Sequence, residues 1–175
     1  MKTIFNTLFI ILLAFQIANA QDAPNIPTSY QLEKKEDYAS YRAQVLETII
    51  WLENTPISDQ NSSIRRPAQK FVMTWLSGHP DLHPPLVQDI IQPLMEEDAK
   101  YAAILMGRFI FGEAKALMQT KEELSEVDLY LKGIEAMLNA YDTIHPKVKL
   151  RTMEKYKRMV KKGKLRAWLE GLVKG

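Results

Sequence analysis

The chain has 175 residues, no cysteine, and 23 lysine and arginine residues against 21 aspartate and glutamate residues. The lack of cysteine excludes disulfides, cysteine nucleophiles and thiolate metal sites. The length is sufficient for one domain whose core is held together by packing alone.

The charges are unevenly distributed along the chain. Residues 21–145 carry 11 basic and 19 acidic side chains, whereas residues 146–175 carry 11 basic and 2 acidic side chains. This pattern predicts an acidic body with a basic carboxy-terminal end. Such an end can dock on the body, bind an anionic partner, or present a solvated basic face.

The first twenty residues have the pattern of a secretory signal peptide. Lys2 supplies a positive start, residues 4–17 are mainly apolar, and residues 18–20 read Ala-Asn-Ala, a small-x-small cleavage pattern. We therefore expect cleavage near Ala20 and export of the mature chain, which would be periplasmic or secreted. No later apolar run reaches the roughly 20 residues that spanning a membrane needs, so we predict no transmembrane segment.

After the predicted cleavage site, residues 21–35 contain Pro24 and Pro27 among scattered polar residues. This composition predicts an extended or mobile arm. A single helical domain is expected over residues 36–175. Its first helix shows apolar residues at three- and four-residue spacing and should stop before Pro56.

The next two helices are predicted from their proline and glycine residues. The second should run through Pro67 and end at Gly78 in a left-handed cap, and the third should be short and end near Pro93. Segments 51–56 and 75–80 look alike, although the residues before them do not match at that offset. We interpret both as similar helix ends, and stacked helical hairpins would also fit.

Residues 94–118 are predicted to form the central helix. Residues 101–111 are almost all apolar, and a helix that is apolar all round is buried all round. Arg108 interrupts this stretch, and a buried guanidinium needs acceptors. We therefore expect it to meet a carboxylate of a neighbouring helix or a ligand anion. Gly107 and Gly112 are expected to permit close helix approach.

The chain ends in further helices. Thr120 and Glu123 form a plausible capping box for a helix that stops before Pro146. From about residue 146 a basic helix follows, with an apolar arc opposite a charged face, and Gly163 separates it from a short last helix. The arc comprises Val148, Met153, Tyr156 and Val160, and the charged face includes Lys155, Arg158 and Lys162.

No segment shows the period-two alternation that is typical of a strand. The predicted fold is therefore all-α, with six to seven helices packed around a central apolar helix. A helical bundle and a short stacked-hairpin array both fit this pattern.

Chemical motifs are few. His79, Asp81 and His83 are closely spaced, but zinc needs further ligands in definite geometry and the neighbouring prolines favour a connecting loop. The sequence has no nucleophile elbow, no glycine-rich phosphate loop and no HExxH motif. We therefore assign no catalytic residue, metal or cofactor. Asn61 begins an Asn-Ser-Ser glycosylation sequon.

These features favour an exported helical interaction protein that binds another macromolecule, with Lys155, Arg158, Lys162 and Arg108 as candidate binding residues. The expected partner is an acidic protein or an anionic surface. Nucleic acid is disfavoured because Tyr156 and Trp168 fall on apolar faces. The alternative is a small enzyme, or a binder of small ligands or anions, with a pocket near Arg108.

Several short segments across the mature domain have a recognisable combination of residues: 51–56, 65–71, 75–78, 105–107, 132–135, 153–156 and 162–165. In these segments the chain resembles a group of uncharacterised small exported all-helical proteins from Gram-negative bacteria. The resemblance implies an intact helical domain. It implies no activity and no catalytic residues.

Overall fold

The computed structural model describes residues 23–58, 62–144 and 148–174, and all regular secondary structure among them is helical. The predicted all-α fold is confirmed. The predicted signal peptide and the Asn61 sequon position lie outside the described residues. The helices of the described part are α1 Lys35–Asn54, α2 Ser62–Gly78, α3 Gln88–Glu97, α4 Ala99–Gln119, α5 Glu126–Ile144, α6 Arg151–Lys161 and α7 Leu165–Lys174.

Helix α4 lies between two hydrophobic clusters. Leu105 and Phe109 on one side pack with residues of α3, α5, α6 and α7. Phe111 and Ala114 on the other side pack with residues of α1 and α2. All four side chains are buried. Helix α4 is therefore the central apolar helix that the sequence predicted.

The central helix starts later than predicted. We expected it to begin at residue 94, after a helix that ended near Pro93, but α3 continues through Pro93 to Glu97. The carboxylate of Asp98 accepts hydrogen bonds from two backbone N–H groups of the first turn of α4, at 3.0 and 3.1 Å. This side-chain cap satisfies amides that lack helical partners, and it fixes the start of α4 at Ala99.

Two glycines set the spacing of the α4–α5 pair, which is the most extensive helix contact. A Cβ on Gly112 would lie 2.6 Å from the carbonyl oxygen of Lys132, and a Cβ on Gly133 would lie 2.5 Å from the ring of Phe109. Close approach at Gly112 is therefore confirmed. Gly107, which we expected to act in the same way, has no described neighbour within 4 Å of such a Cβ.

Two other glycines lie at helix ends. Gly78 was wrongly predicted as a left-handed cap, because its φ is not positive and a Cβ there would overlap the hydroxyl oxygen of Tyr38. Gly163, with φ of 63°, is the described residue that takes the left-handed conformation. The backbone N–H groups of Gly163 and the next residue donate to the carbonyl groups of Val160 and Met159, forming a Schellman motif that ends α6.

Two helix starts also lie further along the chain than predicted. Thr120 caps the end of α4 and does not open a capping box. The hydroxyl of Ser125 accepts a hydrogen bond from the backbone N–H of Asp128 at 3.2 Å, so α5 begins just after it. The basic helix α6 begins at Arg151, which leaves Val148 outside it.

Residues 23–34 form an extended arm that packs on α1 and α2. The ring centroid of Tyr30 lies 5.2 Å from that of Phe71 and 6.3 Å from that of Tyr41, both in edge-to-face geometry. The hydroxyl of Tyr38 donates a hydrogen bond to the carbonyl of Leu32 at 3.1 Å. These contacts attach the arm to the domain.

Candidate functional site

The candidate residues of α6 lie on its exposed side. The opposite side is anchored by Met153 and Tyr156, which are buried, and the Tyr156 hydroxyl donates to the carbonyl of Ile90 at 2.9 Å. The predicted apolar arc is confirmed for these two residues, whereas Val160 is 51% exposed. The candidate basic residues are all exposed: Lys155, Arg158 and Lys162.

The start of α6 is held by a carboxylate from the end of α3. Glu97 accepts hydrogen bonds from the backbone N–H groups of Arg151 and Thr152, the latter at 3.0 Å. Although partial burial opposes ionisation, these hydrogen bonds lower the pKa of Glu97. The negative charge also complements the amino-terminal end of the α6 dipole. The basic helix is therefore fixed to the body at its first turn.

Some cations of the basic end are paired with the body, and others are not. Lys157 pairs with Asp142, and Arg166 lies 2.6 Å from a carboxylate oxygen of Asp128. Within the described residues, seven basic side chains of the end make no ion pair: Lys149, Lys155, Arg158, Lys161, Lys162, Lys164 and Lys174. The predicted docking of the end onto the body is thus partial, and it leaves a continuous set of exposed cations. We call Lys155, Arg158, Lys161, Lys162 and Lys164 the basic surface.

Trp168, the aromatic residue of α7, is covered by side chains of α6. The ring of Trp168 lies 5.5 Å from the ring of Tyr156, and the Lys155 ammonium lies 5.1 Å from the Trp168 centroid. Leu169 beside it is fully buried. The apolar side of α7 is therefore packed at Leu165, Trp168 and Leu169, whereas Val173 near the end of the helix is 44% exposed.

A groove of about 430 Å³ separates α3 from α6 and brings Lys155 and Arg158 together. Glu96 and Glu97 line the same groove, so its charge is mixed. Lys162 is not among its lining residues.

Arg108 lies elsewhere, inside α4 on the side of α1 and α2, and is only 3% exposed. Its Nε and Nη1 atoms have no hydrogen-bond partner among the described residues, and it makes no described ion pair. Burial and the nearby charge of Arg65 lower the pKa of Arg108 to about 10, against the opposing effect of Glu53. The expected carboxylate partner is therefore absent at hydrogen-bonding distance among the described residues. Glu53 pairs with Lys115 through one oxygen, and its other oxygen is buried without a partner.

A second guanidinium is buried next to Arg108. Arg65 of α2 is 4% exposed and donates to the carbonyl groups of Leu52, at 3.2 Å, and Thr55, at 2.7 Å. These bonds satisfy carbonyls at the end of α1, which lack helical partners. Both acceptors are neutral, and no carboxylate of the described residues pairs with Arg65. Two guanidinium groups thus lie buried within electrostatic reach of each other.

Arg65 also lines a cavity of about 450 Å³ between α2, α4 and the end of α5. Two of the three α4 residues in its wall, Tyr101 and Ile104, lie seven and four positions before Arg108, on the same side of the helix. A pocket near Arg108 was part of the alternative function, and this cavity lies on the same side of α4, although Arg108 is not among its described lining residues. Its described lining residues are Ile57, Ser58, Ser62, Arg65, Arg66, Gln69, Lys100, Tyr101, Ile104, Thr143 and Ile144.

Sequence reasoning missed Glu113, which is fully buried in α4. Neither of its carboxylate oxygens has a hydrogen-bond partner among the described residues, and burial raises its pKa to about 9. Its burial could have been predicted from helical spacing, because Glu113 lies four residues after the buried Phe109 on the same helix face. Sequence reasoning also missed the burial of Arg65. This residue lies three positions before Ala68, on the apolar stripe of α2.

The histidine segment after α2 is used for packing. The ring of His79 lies 4.5 Å from that of Trp75, Asp81 pairs with Lys35, and His83 is bonded to the carbonyl of Pro80. Over the described residues, no group of three or more histidine, aspartate or glutamate side chains is arranged to hold a metal ion. In the same residues, no helix has both the length and the apolar character needed to cross a membrane.

Comparison with protein-family models, with curated proteins and with solved structures finds no match for this chain. The resemblance to small exported helical proteins therefore stays a prediction.

Proposed function

We propose that this chain is an exported interaction protein that binds an acidic segment of another protein through the basic surface of α6 and the α6–α7 turn. The observation that carries the proposal is the set of exposed cations without ion pairs at Arg158, Lys161, Lys162 and Lys164. Complementary charge steers association and fixes the orientation of a partner. Export rests on the pattern of residues 1–20, and amino-terminal sequencing of the mature protein should find Gln21 first.

The burial of Met153 and Tyr156, the centre of the apolar arc, favours a protein partner over a membrane surface. An interfacial helix must insert its apolar face among lipid chains. Met153, Tyr156 and Leu169 are already buried in the domain, and Trp168 packs beneath Lys155. What remains exposed on α6 and the α6–α7 turn is mainly charge, with Val160 as an apolar exception, and this suits a soluble acidic partner. The same packing leaves no free aromatic platform on this surface for stacking nucleic-acid bases.

The test is binding of a polyglutamate peptide by the wild type and by the triple variant Lys155→Gln, Arg158→Gln, Lys162→Gln. We expect the wild type to bind at low salt and to weaken as salt screens the charges. The triple variant should bind roughly tenfold more weakly or worse, since each lost charge removes on the order of 0.5–1 kcal/mol. Isothermal titration calorimetry measures both affinities.

A matched control is the triple variant Lys34→Gln, Lys70→Gln, Lys121→Gln, which removes the same charge from exposed positions of the body. It should bind the peptide like the wild type. Equal weakening in both triple variants would show that net charge alone drives binding and would contradict the proposal. Binding only to anionic vesicles, with a blue shift of tryptophan fluorescence, would favour the membrane instead.

A further inference from the structure

We infer that the cavity between α2, α4 and the end of α5 is a binding site for a small organic anion, with a carboxylate or phosphate headgroup on an apolar body. This inference is independent of the basic surface. The cavity lies in a different part of the molecule, and none of its described lining residues belongs to α6 or α7.

The charge of the cavity wall points to an anion. Arg65, Arg66 and Lys100 all line it, and its described lining contains no carboxylate. Arg66 and Lys100 are exposed and make no ion pair among the described residues. Hydroxyl groups of Ser62 and Tyr101 add neutral hydrogen-bond donors. This combination of cations and hydroxyls is suited to carboxylate or phosphate oxygens.

The buried guanidinium groups of Arg65 and Arg108 add to the positive charge of the cavity wall. Arg108 lies one helical turn beyond Ile104, and Arg65 repels it electrostatically. Glu53 is the carboxylate that opposes this charge, and one of its oxygens is already paired with Lys115. An anion in the cavity would therefore face an excess of positive charge among the described residues.

The apolar part of the wall argues for an organic anion. Ile57, Ile104 and Ile144 line the cavity together with the ring of Tyr101. A volume of about 450 Å³ is much larger than an inorganic ion requires and lies in the range of pockets that bind small molecules. An apolar body packed against the isoleucines would therefore add affinity that inorganic phosphate cannot obtain.

The experiment compares phenyl phosphate, benzoate, inorganic phosphate and uncharged benzyl alcohol by ligand-observed NMR and isothermal titration calorimetry. We expect one organic anion, or both, to bind with 1:1 stoichiometry. Inorganic phosphate and benzyl alcohol should each bind at least about tenfold more weakly. Inorganic phosphate lacks the apolar body, and benzyl alcohol lacks the negative charge. Whether phenyl phosphate or benzoate binds more tightly identifies the headgroup.

The double variant Arg66→Gln, Lys100→Gln removes two cations of the wall at exposed positions, where folding should be unaffected. It should weaken binding of the organic anion by roughly a factor of ten or more. The matched control, Lys70→Gln with Lys121→Gln, removes the same charge from positions outside this wall and should bind normally. Equal affinities in the wild type, the double variant and the control would overturn the inference, as would no binding of either organic anion at millimolar concentration.

Discussion

Helices α4 and α6 both carry charged side chains, but in opposite surroundings. Helix α4 is enclosed by two hydrophobic clusters, so even its charged residues Arg108 and Glu113 are buried. Helix α6 is buried along one side, and its charges are in water apart from a few pairs with the body. A buried charge of α4 should therefore act mainly on stability, and an exposed charge of α6 mainly on binding.

The largest effect is expected where α4 meets α5 through a glycine. Gly133→Ala would place a methyl group against the fully buried ring of Phe109, so we expect a loss of about 3 kcal/mol or more in the free energy of unfolding. Gly107→Ala, in open space on α4, should instead gain about 0.5–1 kcal/mol. Urea denaturation of both variants measures the difference. A similar, small change in both would contradict close packing at Gly133.

A slightly smaller effect is expected from Glu113→Gln, and it should depend on pH. Burial raises the pKa of Glu113 from 4.5 to about 9, so the folded state retains a proton that the unfolded chain releases between these values. The stabilising contribution of this proton is complete below pH 4.5 and is lost as the pH rises towards 9. Glu113→Gln should therefore be more stable than the wild type by roughly 2–3 kcal/mol at neutral pH.

The measurement is the free energy of unfolding of both proteins from pH 5 to pH 9. The difference should grow with pH and should nearly vanish at the acidic end. A constant difference across this range would mean that Glu113 ionises normally in the folded protein.

The smallest effects come from a matched pair of arginines, one on each helix. Arg108→Met removes a buried guanidinium that lacks partners at two nitrogens and is repelled by Arg65, so we expect a gain of about 1–2 kcal/mol. Arg158→Met changes an exposed residue and should alter stability by less than about 0.5 kcal/mol. Thermal unfolding at one pH compares them. A clear loss for Arg108→Met would show that this charge holds the fold together.

Sequence reasoning identified the fold class, the central helix and the anchored side of α6 because apolar periodicity reports burial directly. It placed several helix ends wrongly, because those ends depend on single side-chain caps. Asp98 was taken for part of a helix, yet it separates two helices. Gly78 was interpreted as a cap, yet it is a contact point for Tyr38.

The candidate site was only partly predictable. The basic surface could be read from local charge and helical spacing, since exposed positions on one helix need no knowledge of other helices. The cavity could not be predicted from the sequence. Its residues Arg65, Lys100 and Ile144 belong to three helices that only the tertiary fold brings together. Arg108 was noticed as unusual, but its lack of a partner depends on how Glu53 is shared with Lys115.

The cap that Glu97 provides for α6 also bears on the order of folding. A helix of 11 residues is too short to be stable by itself in water. Its first two free amides are satisfied by a carboxylate more than 50 positions earlier in the chain. We therefore expect α6 to be mostly unfolded as an independent unit and to become stably helical once the junction between α3 and α4 has formed. Because this contact joins distant parts of the chain, α6 should fold together with the rest of the domain. The complete basic surface is then present only on the folded domain.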